Sequence, residues 1–206
     1  MKCEMLPGLA SSGYFGYLCA MDCRPDILIR NATADDVPFV AACVLAAVGL
    51  YDFRTESVET PTAEEACSRD DTLYSYRNAR IATVDGTPIG CLVSYPGAIY
   101  EPARKTTFAI FERDGHHVPP TDTECFPDEY YLDSMAILPA FRGYGIGKLL
   151  MQDGIRIASE AGLKKVSLLV ESGRDALAKY YGSLGFLPER EIDAFGDRYT
   201  RMVLSM

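Results

Sequence analysis

The 206-residue sequence has no tryptophan and only two histidines, His116 and His117, which are adjacent. Neighbours in sequence seldom turn both rings onto one ion, so no metal is expected. The seven cysteines, Cys3, Cys19, Cys23, Cys43, Cys67, Cys91 and Cys125, are an odd number with no C-x-x-C pair. That count suits neither a disulfide framework nor a zinc site and reads as reduced thiols in a cytoplasm. Basic residues are scarce: 20 Lys and Arg face 29 Asp and Glu, a formal charge of -9. This is the wrong sign for gripping the phosphates of a nucleic acid. No run reaches the roughly 18 apolar residues of a membrane helix, and no internal repeat or low-complexity stretch is present.

What is present suits a soluble globular chain, with 48% hydrophobic and 24% charged residues. The length favours one domain. Residues 1–25 are apolar but interrupted by Pro7, Gly8, Gly13 and Gly16, with no small-x-small triplet after Leu18-Cys19-Ala20. They are expected to be a poorly ordered N-terminal extension or a mis-assigned start rather than a signal peptide, leaving residues 26–206 as the domain.

Ile27 to Arg30 reads as a strand, and Thr33 with Asp36 as the cap of an amphipathic helix through Val37, Val40, Val44 and Ala47. A second, weaker helix fits Thr62 to Arg69. Arg80 to Val84, Asp85-Gly86 and Pro88 to Tyr95 spell a hairpin, since Asp-Gly supplies the positive φ of a tight turn. Residues 96–128, rich in Pro, Gly and charge, exceed a hairpin loop and read as an insertion with a short helix near Arg104 to Glu112. Tyr130 to Ile137 reads as a strand, Ile146 to Ala161 as a helix, and Val166 to Val170 as a strand parallel to its predecessor. A helix over Asp175 to Leu184 stops at Gly185, and two strands close the chain at Leu187 to Ile192 and Tyr199 to Leu204. The fold class is mixed α/β (α+β).

The most informative stretch is Arg142-Gly143-Tyr144-Gly145-Ile146-Gly147-Lys148, between a strand and a helix. Alternate glycines admit a ligand close to the backbone, and a helix start offers unpaired N–H groups and the positive end of its dipole, which suits a pyrophosphate. Arg142 and Lys148 add positive charge. Two common phosphate-binding patterns fail on counting. The third glycine of G-x-G-x-x-G comes one residue early, at Gly147; the first glycine of a P-loop is replaced by Arg142, and its hydroxyl residue by Leu149. The third pattern, Arg-x-x-Gly-x-Gly, is met by Arg142, Gly145 and Gly147.

On that turn, together with Leu132-Asp133-Ser134-Met135-Ala136-Ile137-Leu138-Pro139 before it and Tyr181-Gly182-Ser183-Leu184-Gly185-Phe186 after it, the sequence resembles the GNAT superfamily of N-acetyltransferases. Element order agrees from Ile27 to Leu204, most sharply between Tyr130 and Phe186. The resemblance implies a central mixed, mostly antiparallel sheet of about six or seven strands, flanked by helices, with strands 4 and 5 splayed apart. It implies acetyl-CoA as acyl donor and a primary amine of a small molecule or peptide as acceptor, joined by direct attack in a ternary complex. The cofactor arm would bond to the backbone of Met135, Ala136 and Ile137, and the pyrophosphate would rest on Gly143, Tyr144, Gly145, Ile146, Gly147 and Lys148 beside Arg142. A homodimer would be in keeping with the family.

Tyr181 matches the family's usual proton donor, with Tyr180 its rival one position away. For the base, strand alternation places Tyr131, Asp133, Met135 and Ile137 on one face, where Asp133 is the only carboxylate. It reads equally as a water-relayed base and as a structural Asp paired with an Arg or capping a bulge; Glu129 and Glu171 are the fallbacks. Tyr95, Tyr100, Phe108 and Phe111 are candidates to line the acceptor pocket. The chain departs from the family at Arg174 and Leu177, where many relatives carry Asn and Ala. A domain that binds acyl-CoA without turning it over is the alternative reading.

Overall fold

The computed structural model describes residues 26–54 and 60–206; the expected extension 1–25 lies outside them. Seven strands form one sheet in the order β1-β2-β3-β4-β5-β7-β6. The chain runs β1 (Ile27–Asn31), α1 (Val37–Ala47), α2 (Pro61–Ser68), β2 (Ala79–Val84), β3 (Thr87–Pro96), α3 (Tyr100–Arg113), β4 (Tyr130–Ile137), α4 (Ile146–Glu160), β5 (Lys165–Glu171), α5 (Asp175–Ser183), β6 (Leu187–Ala194) and β7 (Asp197–Ser205). Every strand pair is antiparallel except β4–β5, whose parallel crossover is α4.

Local chemistry accounts for the element ends. Asp36 accepts bonds from the Thr33 amide at 2.7 Å and hydroxyl at 3.0 Å. Arg30 of β1 also clamps Asp36 through both guanidinium ends, at 2.7 and 2.8 Å, tying helix entry to the sheet edge. The β2–β3 turn holds Asp85 at φ 49 and Gly86 at φ 79, as an Asp-Gly hairpin requires.

The sheet buries a layer on each face. Val40, Val44 and Leu45 of α1, Ala63 and Cys67 of α2 and Tyr100 of α3 pack with Ile81, Val93, Tyr95 and Tyr131. On the other face Ile146, Leu150, Met151 and Ala158 of α4 pack with Leu92, Leu132, Leu168, Val170, Phe186 and Met202. The helix expected within residues 96–128 is longer than its pattern suggested, fourteen residues from Tyr100.

After α3 the chain runs without helix or strand to β4, seated on the β6–β7 hairpin. The Asp122 amide donates to the Asp193 carbonyl at 2.9 Å, and Thr121 Oγ1 accepts from the Phe195 amide at 3.2 Å. Arg201 of β7, fully buried, donates to the Glu124 carbonyl at 3.0 Å and pairs with the buried Glu129.

Strand β4 corrects the expected alternation. Its register with β3 jumps from Val93↔Ser134 to Ser94↔Leu132, so Asp133 is the extra residue of a β-bulge. Tyr131 and Ala136 therefore pack with the α1–α3 layer, while Leu132, Met135 and Ile137 pack with the α4–α5 layer. Tyr131 and Asp133 do not share a face with Met135 and Ile137, because one unpaired residue reverses the period-two pattern beyond it.

Candidate active site

Strands β4 and β5 pair at two positions only, Tyr130↔Val166 and Tyr131↔Ser167, whereas β5 and β7 pair at seven, to the end of β5. Beyond Tyr131 the parallel strands part. The backbone from Leu132 to Ile137 then pairs with β3 on one side and, among the described residues, with no strand on the other, a cleft of the form an extended ligand fills by adding a strand.

At the far end of β4 lies the glycine-rich turn. After a short turn over Pro139–Phe141, Gly143 and Gly145 adopt φ values of 86 and 82, and α4 begins at Ile146. A Cβ built on either glycine meets nothing within 4 Å, so their outer face is open. Among the described residues, the amides of Gly143, Tyr144 and Gly145 have no hydrogen-bond acceptor in the chain; the Arg142 amide before them donates to the Pro139 carbonyl at 3.3 Å, and the next to bond back is that of Leu149, to the Gly145 carbonyl at 3.2 Å. The amides of Ile146, Gly147 and Lys148 are the opening donors of α4, which an α-helix leaves without internal partners, and Gly145 supplies no side-chain cap. The fit to a diphosphate is geometric, an exposed run of donors at a helix start over glycines that leave room for it. Arg142 donates through Nε to the Ile137 carbonyl at 3.3 Å, bracing the turn against β4.

Gly147 faces inward: a Cβ there would touch Ile137 Cδ1 at 3.4 Å and Met135 Cε at 3.5 Å. The turn thus sits directly on the β4 residues expected to meet the cofactor arm. Tyr181 lies in the same layer, its ring edge-on to Phe186 at 6.2 Å and tilted against Tyr180 at 5.5 Å. Burial, with a smaller contribution from Tyr180, pushes its phenol up to about 12. Arg174, at the departure from the family pattern, pairs with Glu171 at 2.7 Å.

On the opposite face Asp133 meets a group of hydroxyls. It accepts from Tyr95 at 2.5 Å and from Ser134 at 2.7 Å. Burial raises its pKa, and the two hydroxyl donors hold the rise back. Asp133 is itself the bulge residue, with tyrosine and serine hydroxyls as its partners, and among the described residues no Arg bonds or pairs with it.

The fallback carboxylates are engaged elsewhere, Glu129 with buried Arg201 and Glu171 with Arg174. The four aromatics proposed for the acceptor pocket divide. Tyr95 and Tyr100 reach carboxylates, whereas Phe108 packs on Phe195 and Phe111 on Tyr74.

The residue that sequence reasoning missed is Glu124. It is buried in the segment before β4 and accepts from Tyr100 and Tyr131, both at 2.8 Å. Desolvation, reinforced by Asp133, lifts its carboxyl to about 7, and the two phenols oppose the rise. No periodic element contains it, so no face could be assigned from sequence; the apolar Cys125-Phe126 pair after it was the only hint of burial.

Comparison with known proteins agrees with the fold and the family resemblance. Residues 50–186 match the sequence profile of the Acetyltransferase (GNAT) family. A crystal structure of an acetyltransferase superposes with a TM-score of 0.70 at 26% identity, covering 86% of this chain and 98% of that one. An N-acetyltransferase from Staphylococcus aureus Mu50 gives 0.70 at 20% identity over 86% of this chain and 100% of its own. The NatC complex bound to Gag peptide and CoA gives 0.54 at 14% identity over 87% and 98%, a likeness of fold. Among curated protein sequences none is similar enough to match. No helix among the described residues is long and apolar enough to cross a membrane.

Proposed function

The chain belongs to the GNAT acetyltransferase family, and from that premise we propose that it moves an acetyl group from acetyl-CoA to a primary amine by direct attack in a ternary complex. The observation that carries the reading is the open row of amides from Gly143 to Lys148 at the mouth of the β4–β5 cleft. These amides would hold the diphosphate, with Arg142 and Lys148 supplying countercharge in an acidic chain. The backbone of Met135, Ala136 and Ile137 would receive the extended arm, and an amide of that edge would polarise the thioester carbonyl. A thioester so held supplies the acyl group, and the departing thiolate is the leaving group.

Asp133 and Tyr181 belong to opposite layers of the sheet and divide the proton work between them. The proton released by the acceptor ammonium goes to the Asp133 carboxylate, directly or through water. As the N–C bond forms and the C–S bond breaks, the Tyr181 hydroxyl faces the sulfur side. With its phenol at about 12 and a simple thiol near about 8.5, full proton transfer from Tyr181 is uphill. Its contribution is a hydrogen bond to the developing thiolate; the second proton that the nitrogen sheds on becoming an amide leaves to solvent, and solvent protonates the thiolate.

The test combines calorimetry with CoA and thiol release from acetyl-CoA in the presence of pooled amines. Binding, amine-dependent release and a fall of about 100-fold in kcat for Tyr181→Phe are expected. Binding with no release under any amine would make the chain an acyl-CoA sensor, and no binding would remove the proposal.

A further inference from the structure

We propose that Glu124, carried to the acceptor side of the sheet by the segment between α3 and β4, is a positioning residue for the proton step, forming with Asp133 a carboxylate pair that sets the basicity of Asp133. The inference rests on the acetyl-transfer reading and adds a residue outside the turn and the strands on which that reading was built.

Glu124, buried, and Asp133, half-buried, meet at the β4 bulge, where the Tyr131 and Tyr95 rings that donate to them lie 5.8 Å apart, and each is held by hydroxyls rather than by a cation. Tyr100 from α3 and Tyr131 from β4 donate to the two oxygens of Glu124, and Tyr95 from β3 and Ser134 from β4 donate to the two oxygens of Asp133. From the remaining packed elements Glu124 faces Tyr74, which precedes β2, Tyr199 of β7 and its own neighbour Cys125. Arg104 of α3 supplies favourable charge to Glu124. Its guanidinium is directed to the Thr121 carbonyl at 2.9 Å and the Tyr100 and Phe108 rings rather than to the carboxylate. The fully buried Arg201 is committed to Glu129, Glu189 and the Glu124 backbone carbonyl. A structural role alone would have been served by pairing Glu124 with such an arginine.

An independent observation points to the same place. Among the described residues, the only buried side-chain oxygen or nitrogen without a partner is Ser167 Oγ. Val166, Leu168 and Val170 turn toward α4, so Ser167 turns to the other layer, where it lies in register with Tyr131 at the point where β4 and β5 part. A fully buried hydroxyl without a partner, beside the phenol that holds Glu124, marks a polar position that a water or an acceptor group completes.

In the free protein the pair shares its charge: a negative Glu124 makes Asp133 hold a proton more tightly, and the phenols on Glu124 limit that effect. When the acceptor ammonium arrives, its positive charge favours two negative carboxylates, and its proton then passes from nitrogen to Asp133.

The experiment is the pH profile of amine-dependent thiol release, read beside a 13C-carboxyl NMR titration of the folded protein, for wild type, Glu124→Gln and Tyr100→Phe. Glutamine retains an oxygen for the two phenols, and circular dichroism confirms the fold. Removing the Glu124 charge is expected to move the acid limb of kcat/KM and the Asp133 titration to lower pH. It is also expected to lower kcat at neutral pH by about tenfold, because a weaker base takes the proton less readily. Tyr100→Phe, which leaves Glu124 more readily protonated, moves both in the same direction by less. An acid limb and an Asp133 titration unmoved in both variants overturn the proposal while leaving acetyl transfer standing. Absence of amine-dependent release in wild type overturns the acetyl-transfer reading and this one with it.

Discussion

Replacing Gly145 by valine separates the fold from the cofactor site. The residue sits at φ 82 immediately before α4, and a Cβ there meets nothing within 4 Å, so the substitution creates no clash in the free protein. The remaining cost is conformational: a β-branched side chain in the left-handed region is unfavourable by about 1–3 kcal/mol. A domain of this size is stable by about 5–15 kcal/mol, so the variant should fold, with a lower midpoint in urea. The same branched side chain fills the outer face over which the diphosphate would lie. Losing two charge-assisted hydrogen bonds of about 1.5–3 kcal/mol each predicts a fall in CoA affinity of at least about 100-fold. Calorimetry with CoA, paired with urea denaturation of the same sample, reads both quantities. Gly145→Ala should lie between, at about half the stability cost. A folded Gly145→Val that bound CoA as tightly as wild type would refute the placement of the diphosphate on this turn.

Other substitutions report on the segment that carries Glu124. At Gly97 a Cβ would collide with the Phe126 carbonyl, and its amide donates to the Glu129 carbonyl at 2.7 Å. Gly97→Ala should therefore destabilise the protein and speed proteolysis within residues 114–128. Arg201→Met strands the buried Glu129 carboxylate and should cost about 3–5 kcal/mol in denaturant unfolding. Because burial lifts Glu124 from an ordinary 4.5 to about 7, the folded chain binds more protons than the unfolded chain between those values. Its contribution to stability accordingly declines as pH rises from about 4.5 to about 7, by at most about 3 kcal/mol. Unfolding midpoints for wild type and Glu124→Gln should diverge across that window in favour of the variant. Asp36, held below the usual carboxylate range chiefly by Arg30, works in the opposite sense. Its stabilising share is present above the unfolded value and is lost as pH falls through the lowered one, and the loss should be smaller in Arg30→Met, where the two Thr33 bonds remain.

The parts legible in the sequence share a cause: each rests on a short-range rule. Asp85-Gly86 fixes a turn, Thr33 and Asp36 fix a helix entry, and the 3.6-residue spacing after Gly145 fixes α4. The seven strands emerged from period-two or continuous apolar runs, and the parallel crossover from the helix between β4 and β5. What failed was the alternation across Asp133. A bulge is a property of two strands in register, and nothing in Tyr131-Leu132-Asp133-Ser134 alone announces which residue lacks a partner. Glu124 failed for a similar reason. Its environment is assembled from Tyr100, Tyr131 and Asp133, which lie 7 to 24 residues away, and from β7, reached through Arg201 at a separation of 77.

That division follows the chemistry each half would perform. A diphosphate and an extended thioester arm are recognised by backbone amides and strand edges, whose requirements of glycine, helix start and splayed strands leave a pattern in consecutive residues. An acceptor amine is recognised by a few side chains projecting from wherever the chain passes. Here the segment between α3 and β4 closes over the α1–α3 layer and is tied to the β6–β7 hairpin through Asp122 and Thr121. It delivers one carboxylate to the place where the bulge turns another. Without the reversal beyond Asp133, Met135 and Ile137 would turn to the α1–α3 layer and away from α4 and the glycine turn, and without the segment the Asp133 carboxylate would be left with Tyr95 and Ser134 alone. Exchanging residues 114–128 for a short turn should therefore spare CoA binding, which would use the other layer, and remove amine-dependent turnover.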